Sequence, residues 1–258
     1  VYRKEFLDYL YFSSTHTFFF ILNVYSINIL KISRRQIMHI GFILDGNGRW
    51  ASNKGLPRAI GHKKGAENVE TILRHCIDLD IKRVTLYAFS TENWDRPVYE
   101  VKALMNLFKY YLNKKLIQLH AENVKVSIIG DIEPFPKIIK KYIQNLTNLT
   151  KHNDGMYLNL ALNYGGRAEI VRATKRIGLQ LLQKKISIEE VNEKSFALNL
   201  DTGTDPYPDL IIRTAGERRL SNFLLWQSAY SELYFSDKTW PDFSKKDLEL
   251  ALDDYYSR

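Results

Sequence analysis

From residue 38 onward, short, mostly apolar runs alternate with longer stretches in which apolar residues recur every three or four positions. The runs are Ile40 to Leu44, Val84 to Phe89, Val124 to Ile129, Tyr157 to Leu162 and Leu210 to Ile212. Hydrophobicity that is continuous rather than alternating is what a strand shows when both of its faces are covered, as in a parallel sheet with crossover helices. Between the runs, Ala66, Val69, Ile72, Leu73, Cys76 and Ile77 form one amphipathic stripe. Val101, Leu104, Phe108, Tyr111 and Leu112 form another, within a helix predicted over 98–122. Helices are also predicted from the Pro134 and Pro136 start to His152, and from Ala168 to Gln183. The alternation predicts an α/β fold built on parallel strands.

Such a sheet places all its strand ends along one edge, where ligands of open α/β folds bind. The residues that follow the five runs are unusual as a set. They are Asp45-Gly46-Asn47-Gly48-Arg49, Ser90-Thr91-Glu92-Asn93-Trp94, Gly130-Asp131, Asn163-Tyr164-Gly165-Gly166-Arg167 and Arg213-Thr214-Ala215-Gly216-Glu217. One Asp-Gly turn is commonplace; five polar ends on one edge, four of them bearing glycine, predict a site.

Residues 1–37 depart from this pattern, with no Gly or Pro, many aromatics and the run Phe18-Phe19-Phe20-Ile21-Leu22. A spanning helix needs about 20 mostly apolar residues, and Asn23, Ser26, Asn28 and Lys31 interrupt the run. A signal peptide fits poorly, because Lys31, Arg34 and Arg35 stand where a small-residue cleavage site belongs. Two readings stay open: a peripheral membrane-associating helix, or an extension upstream of a start at Met38, with the domain proper spanning 38–258.

The single cysteine, Cys76, rules out an internal disulfide and sits on an apolar stripe, as a small core residue would. The net charge of +8 suits anionic partners without choosing among nucleic acid, headgroups and phosphorylated small molecules. The position of the charge is more telling. Arg49, Lys54, Arg58, His62, Lys63 and Lys64 form one cluster, and Arg213, Arg218 and Arg219, followed by Ser221, form a second. Guanidinium groups beside glycine loops suit diphosphates, so two clusters predict two phosphorylated ligands or one long one; Lys63 and Lys64 read as surface charge. Arginines at strand ends, rather than interleaved with aromatics along a helix, do not read as nucleic-acid binding.

Asp45, Glu92 and Glu232 are the candidate carboxylates, and Mg²⁺ typically takes one or two carboxylates together with phosphate oxygens and water. The strand turns carry no P-loop and no G-x-G-x-x-G, and no Ser-His-Asp order is present. An Asp-x-Asp phosphatase would need Asp at the position of Ile43. The stripe containing Leu104, Phe108, Tyr111 and Leu112 offers apolar face for a lipid pocket, although core packing is the commoner reason for such a stripe.

These motifs resemble those of the cis-prenyltransferase family, isoprenyl transferases of the undecaprenyl diphosphate synthase type, over residues 38–258. The residues that carry the resemblance are Asp45 to Trp50, Arg58 to Gly65, Leu86 to Pro97, Asn163 to Arg167, Arg213 to Glu217, Ser221 to Gln227 and Glu232 to Phe235. The resemblance implies a single domain with a mostly parallel central sheet of about six strands flanked by helices. It implies a Mg²⁺-dependent homodimer that adds isopentenyl diphosphate to an allylic diphosphate, usually farnesyl diphosphate, through cis double bonds. Asp45 is the implied metal-linked catalytic carboxylate, with Gly46, Asn47, Gly48, Arg49, Trp50, Arg58 and His62 at the allylic diphosphate. Arg213, Arg219, Leu220 and Ser221 are implied at isopentenyl diphosphate, Ser90, Thr91, Glu92, Trp94 and Arg96 in the substrate loop, and Glu232 as a metal ligand reaching from the partner subunit. Asn93 matches the residue assigned to proton removal; an amide is a poor base, so it is expected to position a proton path. A cytoplasmic protein, touching the inner face of the membrane through its lipid product and binding no nucleic acid, is the expected setting. The alternative in this family is a non-catalytic partner subunit, which tends to lose the aspartate and arginine motifs.

Two departures from the family pattern carry expectations. Ala215 stands where glycine is common and is expected to narrow its loop. Ser257-Arg258 come before an Arg-x-Gly segment that often closes the diphosphate site across the dimer, and its lack is expected to reduce activity.

Overall fold

The strands form one sheet in the order β3-β4-β2-β1-β5-β6, every neighbouring pair parallel. They are β1 (His39–Ile43), β2 (Arg83–Ser90), β3 (Lys125–Ile129), β4 (Tyr157–Tyr164), β5 (Leu210–Arg213) and β6 (Glu232–Phe235). The helices are α1 (Asn47–Asn53), α2 (Arg58–Asp78), α3 (Val98–Ala121), α4 (Lys137–Thr150), α5 (Gly166–Leu182), α6 (Glu193–Leu198) and α7 (Lys245–Tyr256). This computed structural model describes residues 37–258, apart from the side chains of 115–117. Both readings of the N-terminal extension therefore lie outside the described residues.

The five expected strands are present to within two residues at each end. The sixth, β6, has no long apolar run to announce it. It is an edge strand of four half-buried residues, Glu-Leu-Tyr-Phe, and an edge strand covered on one side does not need the hydrophobicity of β1 or β5. The glycine loop expected after β1 is also shorter than its sequence suggests. Gly46 turns the chain at φ 97° and α1 begins at the next residue.

Glycine fixes how α1 meets α2. A Cβ at Gly61 would lie 1.9 Å from the Asn47 carbonyl oxygen, and one at Gly65 would lie 2.1 Å from Asn47 Oδ1. The two helices therefore touch backbone to backbone, which seats the start of α2 beside Asp45. The register between β2 and β4 shifts twice near their ends, leaving Ala88 extra on β2 and then Asn163 extra on β4. Such bulges bend a strand and re-aim its side chains, and the first sits at the end of β2 that carries Ser90.

The main core packs Phe42, Leu86 and Phe89 from the sheet against Ile72, Leu104, Trp240 and Phe243. Cys76 is fully buried, as expected, and burial pushes its thiol up to about 12.

His39, also buried, gives the fold a pH dependence. The Pro206 carbonyl can only accept, so Nδ1 donates to it at 2.8 Å and Nε2 accepts from the Thr85 hydroxyl at 2.7 Å. Burial, opposed by the Pro206 carbonyl and aided by the charge of Arg83, pushes the imidazole down to about 4. A folded value below the ordinary 6.5 means that the stability is complete above pH 6.5 and is lost as pH falls toward 4. At ~1.4 kcal/mol per pKa unit, the loss amounts to about 3 kcal/mol. The urea midpoint of the wild type should fall across that window, and the fall should be shallower in His39→Gln; equal slopes would remove His39 as the cause.

Candidate active site

Parallel register sets the first contact. Ile43 of β1 pairs with Arg213 of β5, so Asp45, two residues farther on, meets the Arg213 side chain. Arg213 Nη2 donates to Asp45 Oδ2 at 2.8 Å, and the Gly46 amide donates to Oδ1 at 2.6 Å. Arg49 approaches the same carboxylate at 3.5 Å. Burial works to raise the Asp45 pKa, but the hydrogen bond and charge of Arg213, the Gly46 amide and Arg49 outweigh it, and the carboxyl stays below its usual range. Asp45 is thus an anion at neutral pH. Arg213 is buried at the end of its strand, and its Nη1 also donates to Ser221 Oγ and to the Arg219 carbonyl, both at 2.5 Å. That bond ties the segment carrying Arg219, Leu220 and Ser221 to the end of β5.

A second cluster forms where α2 and α3 begin. Arg58 Nε lies 3.2 Å from Glu100, His62 Nε2 is 3.2 Å from it, and Arg96 Nη1 donates to it at 2.9 Å. The Glu100 side chain is only 5% exposed, so three cationic or cation-capable groups converge on one buried carboxylate. Burial favours its neutral form, yet His62, Arg96 and Arg58 prevail and hold it below the carboxylate range. Burial dominates at His62, which is pushed below its ordinary value despite Glu100. Sequence reading did not single out Glu100. An acidic residue in the first turn of a helix, four after Arg96, reads as an ordinary surface pair, and nothing local reports its burial.

Between these clusters opens an elongated cavity of about 410 Å³. Its mouth carries Asp45, Asn47, His62, Ser90, Asn93, Arg96, Arg213 and Ser221. Its walls are Leu86, Ala88, Leu158, Leu160 and Leu162 from the sheet, Ala66, Val69 and Leu73 from α2, and Leu104, Leu107, Phe108, Tyr111 and Leu112 from α3. Leu104 to Gln118 corresponds to about 21 Å of helix at 1.5 Å per residue, so the channel runs deep beneath α3. It ends on a polar group, in which Gln118 donates to Glu70 at 2.8 Å and to Glu122 at 3.2 Å, and Arg74 pairs with both glutamates. The stripe on α3 is therefore both core and channel wall: Leu104 and Leu112 are buried and also line the cavity.

Not every predicted residue reaches the mouth. Gly48 does so indirectly, since a Cβ there would lie 2.7 Å from the Arg58 guanidinium, which rests on it. Asn93 Oδ1 accepts from the Ser90 amide at 3.1 Å, which turns its NH2 outward as a donor. Trp50 donates to Asp242 at 2.8 Å and does not line the cavity. Trp94, placed in the substrate loop by the resemblance, stands behind the cavity wall, packed on Phe89 and Phe135 with its indole N–H on Asn163. Glu92 accepts from Asn222, and Thr91 crowds Gly165, so both brace the neighbouring loop. Leu220 packs on the second core cluster. Of the five strand ends, those of β1, β2 and β5 supply the mouth. Gly130 after β3 donates to Asp201, and Gly166 after β4 donates to the Asn222 carbonyl, so these two ends hold loops in place.

Glu232 lies elsewhere. It opens β6 and pairs with Leu210 at the start of β5, whereas Arg213 is at the finish, so Glu232 sits at the opposite edge of the sheet from its own chain's Asp45. Its carboxylate binds Arg258 at 2.7 Å. Among the described residues no group of three or more His, Cys, Asp or Glu side chains converges as a metal cage. Asp45, an ionised carboxylate lining the mouth, fits a cation such as Mg²⁺ that takes most of its ligands from substrate oxygens and water.

Comparison with known proteins gives a consistent result. Residues 43–258 match the family described as "Putative undecaprenyl diphosphate synthase". An isoprenyl transferase of Clostridium tetani is 50% identical over 220 residues, covering 85% of this chain and 86% of the relative. A ditrans,polycis-undecaprenyl-diphosphate synthase ((2E,6E)-farnesyl-diphosphate specific) of Legionella pneumophila is 46% identical, covering 85% of this chain and 92% of the relative. The solved structure of a probable undecaprenyl diphosphate synthase from Campylobacter jejuni superposes with a TM-score of 0.73 at 32% identity, over 87% of this chain and 97% of that one. The charged mouth and the apolar channel behind it lie within the matched region, and the chain belongs to the undecaprenyl diphosphate synthase family of isoprenyl transferases.

Proposed function

We propose that this chain condenses isopentenyl diphosphate with an allylic diphosphate, farnesyl diphosphate by the name of its Legionella relative, and repeats the step in cis to build a polyprenyl diphosphate such as undecaprenyl diphosphate, the carrier-lipid precursor for cell-wall synthesis. The observation that carries this reading is the joining of a two-cluster cationic mouth to an apolar channel under α3. A diphosphate head fits the former and a growing hydrocarbon tail the latter.

Arg49, Arg58 and His62 hold the allylic diphosphate, with Arg96 beside them. Arg213, Arg219 and Ser221 hold that of isopentenyl diphosphate. The allylic C1–O bond breaks, a bond forms from C4 of isopentenyl diphosphate to C1, and the C2 proton leaves to a diphosphate oxygen or water. Negative charge that develops on the departing diphosphate is what preorganised arginines stabilise. The Asn93 NH2, turned outward by the Ser90 amide, donates to a substrate oxygen and aligns the proton's acceptor. Bound at Asp45, Mg²⁺ would supply further charge neutralisation at the diphosphates. In a homodimer, Glu232 of one protomer would serve the other's site, releasing its pair with Arg258 to do so. Contact with the inner face of the membrane would come through the lipid product; no described helix is long and apolar enough to cross it.

The test uses the full chain with radiolabelled isopentenyl diphosphate, farnesyl diphosphate and Mg²⁺. Butanol-extractable label should accumulate and vanish with a chelator. Absence of extractable label would sink the reading, label that survives chelation would sink the metal, and light scattering at the 30.2 kDa of one chain would sink the dimer.

A further inference from the structure

Between the two arginine sets sits a carboxylate that the reaction above does not use. Glu217 lies in the turn after β5, pairing with Arg49 at 3.2 Å and with Arg219. The turn that aims it is held firmly. Ala215 and Gly216 both take positive φ, at 71° and 72°. The Ala215 amide donates to the Lys238 carbonyl at 2.6 Å and that of Gly216 to the Ser236 carbonyl at 2.8 Å, while Arg49 Nη1 donates to the Ala215 carbonyl at 2.9 Å. A left-handed backbone is unfavourable for a residue with a Cβ, so Ala215 is kept there by these bonds. Glu217 thereby meets one guanidinium from α1, assigned above to the allylic diphosphate, and one from the segment assigned to isopentenyl diphosphate.

We propose that Glu217 is a resident competitor for diphosphate. Its two oxygens occupy guanidinium N–H groups that a substrate's diphosphate needs. Like a diphosphate oxygen, a carboxylate oxygen is a charged acceptor suited to that fork. Entry of a diphosphate displaces Glu217 from at least one arginine, and its return speeds departure of the inorganic diphosphate that each condensation leaves behind. An enzyme that repeats one step many times must clear that product every round. The idea rests on the assignment of Arg49 and Arg219 to diphosphate binding.

The probe is inorganic diphosphate without added metal, titrated calorimetrically into the wild type, Glu217→Gln, Glu217→Ala and Arg219→Ala. Two ion pairs at ~0.2–1 kcal/mol each lead us to expect binding about two- to thirtyfold tighter in both Glu217 variants, with thermal midpoints near the wild type and a matching increase in inhibition by inorganic diphosphate. Unchanged or weaker binding in Glu217→Gln and Glu217→Ala would overturn the competitor while leaving the assignment of the arginines standing. Affinity indifferent to Arg219→Ala would overturn both.

Discussion

Asp45→Ala should lower turnover about a thousandfold while leaving a folded protein. Loss of one preorganised group that stabilises developing charge typically costs 10²–10³ in rate, and here it removes an ionised carboxylate that lines the mouth as well as the partner of Arg213. Arg213 would be left buried without its anion. Asp45 is itself 31% exposed, so water can replace part of the contact, and the loss of stability should stay near ~1–2 kcal/mol rather than that of a fully buried pair. Asp45→Asn separates the two effects. It keeps the shape and an acceptor for Arg213 but carries no charge, so it should melt close to the wild type and still lose most of the turnover. If it retained more than about a tenth of the wild-type rate, Asp45 would be a packing residue rather than a metal anchor.

Glu100→Ala should cost about a hundredfold in kcat/KM for the allylic diphosphate and little in the KM for isopentenyl diphosphate. The residue does not itself line the cavity; it holds Arg58, His62 and Arg96 in one arrangement. Without it, Arg58 and Arg96 repel each other and His62 loses its partner at the place where one diphosphate must be met. Misplacement of substrate-holding groups by an ångström can cost 10² in rate. Removing one member of a buried charge cluster should also destabilise the fold by about 3 kcal/mol. A stability effect alone would lower active protein without touching KM, so the split between the two substrates is the informative measurement. The His62 titration adds a second one. Burial already lowers its pKa and Glu100 opposes that, so Glu100→Gln should move the His62 imidazole signal to a still lower pH. The sign for stability follows from the depressed Glu100 pKa: its contribution is present at neutral pH and is lost as pH falls through the folded value. Equal losses for both substrates would identify Glu100 as a structural residue only.

Much of this protein can be read along the chain because some of its physics is local. Strands covered on both faces must be apolar throughout, and β1, β2, β4 and β5 announce themselves in that way. Parallel pairing then obliges their ends to share an edge, so the Asp45, Asn93 and Arg213 motifs had to lie near one another. Gly46 could be anticipated as a forced turn, because φ 97° is a conformation that few other residues adopt.

Other features depended on neighbours that arrive from distant parts of the chain. The α3 stripe shows that one helix face avoids water, but an empty channel and a filled core leave the same periodicity. Only the separation of α2, α3 and the sheet decided between them. Glu100 looks like a helix-start carboxylate until α2 covers it; Trp50 and Trp94 belong to the substrate motifs until Asp242 and Asn163 draw their indoles elsewhere. Sequence alone determined the strands, their shared edge and the residue types gathered there, since the periodicity of apolar residues and backbone sterics are set by positions adjacent in the chain. The tertiary structure decided which of those residues face the mouth, that a buried carboxylate organises three of them, and that Glu232 stands at the far edge, because burial and charge pairing depend on contacts between residues remote in the chain.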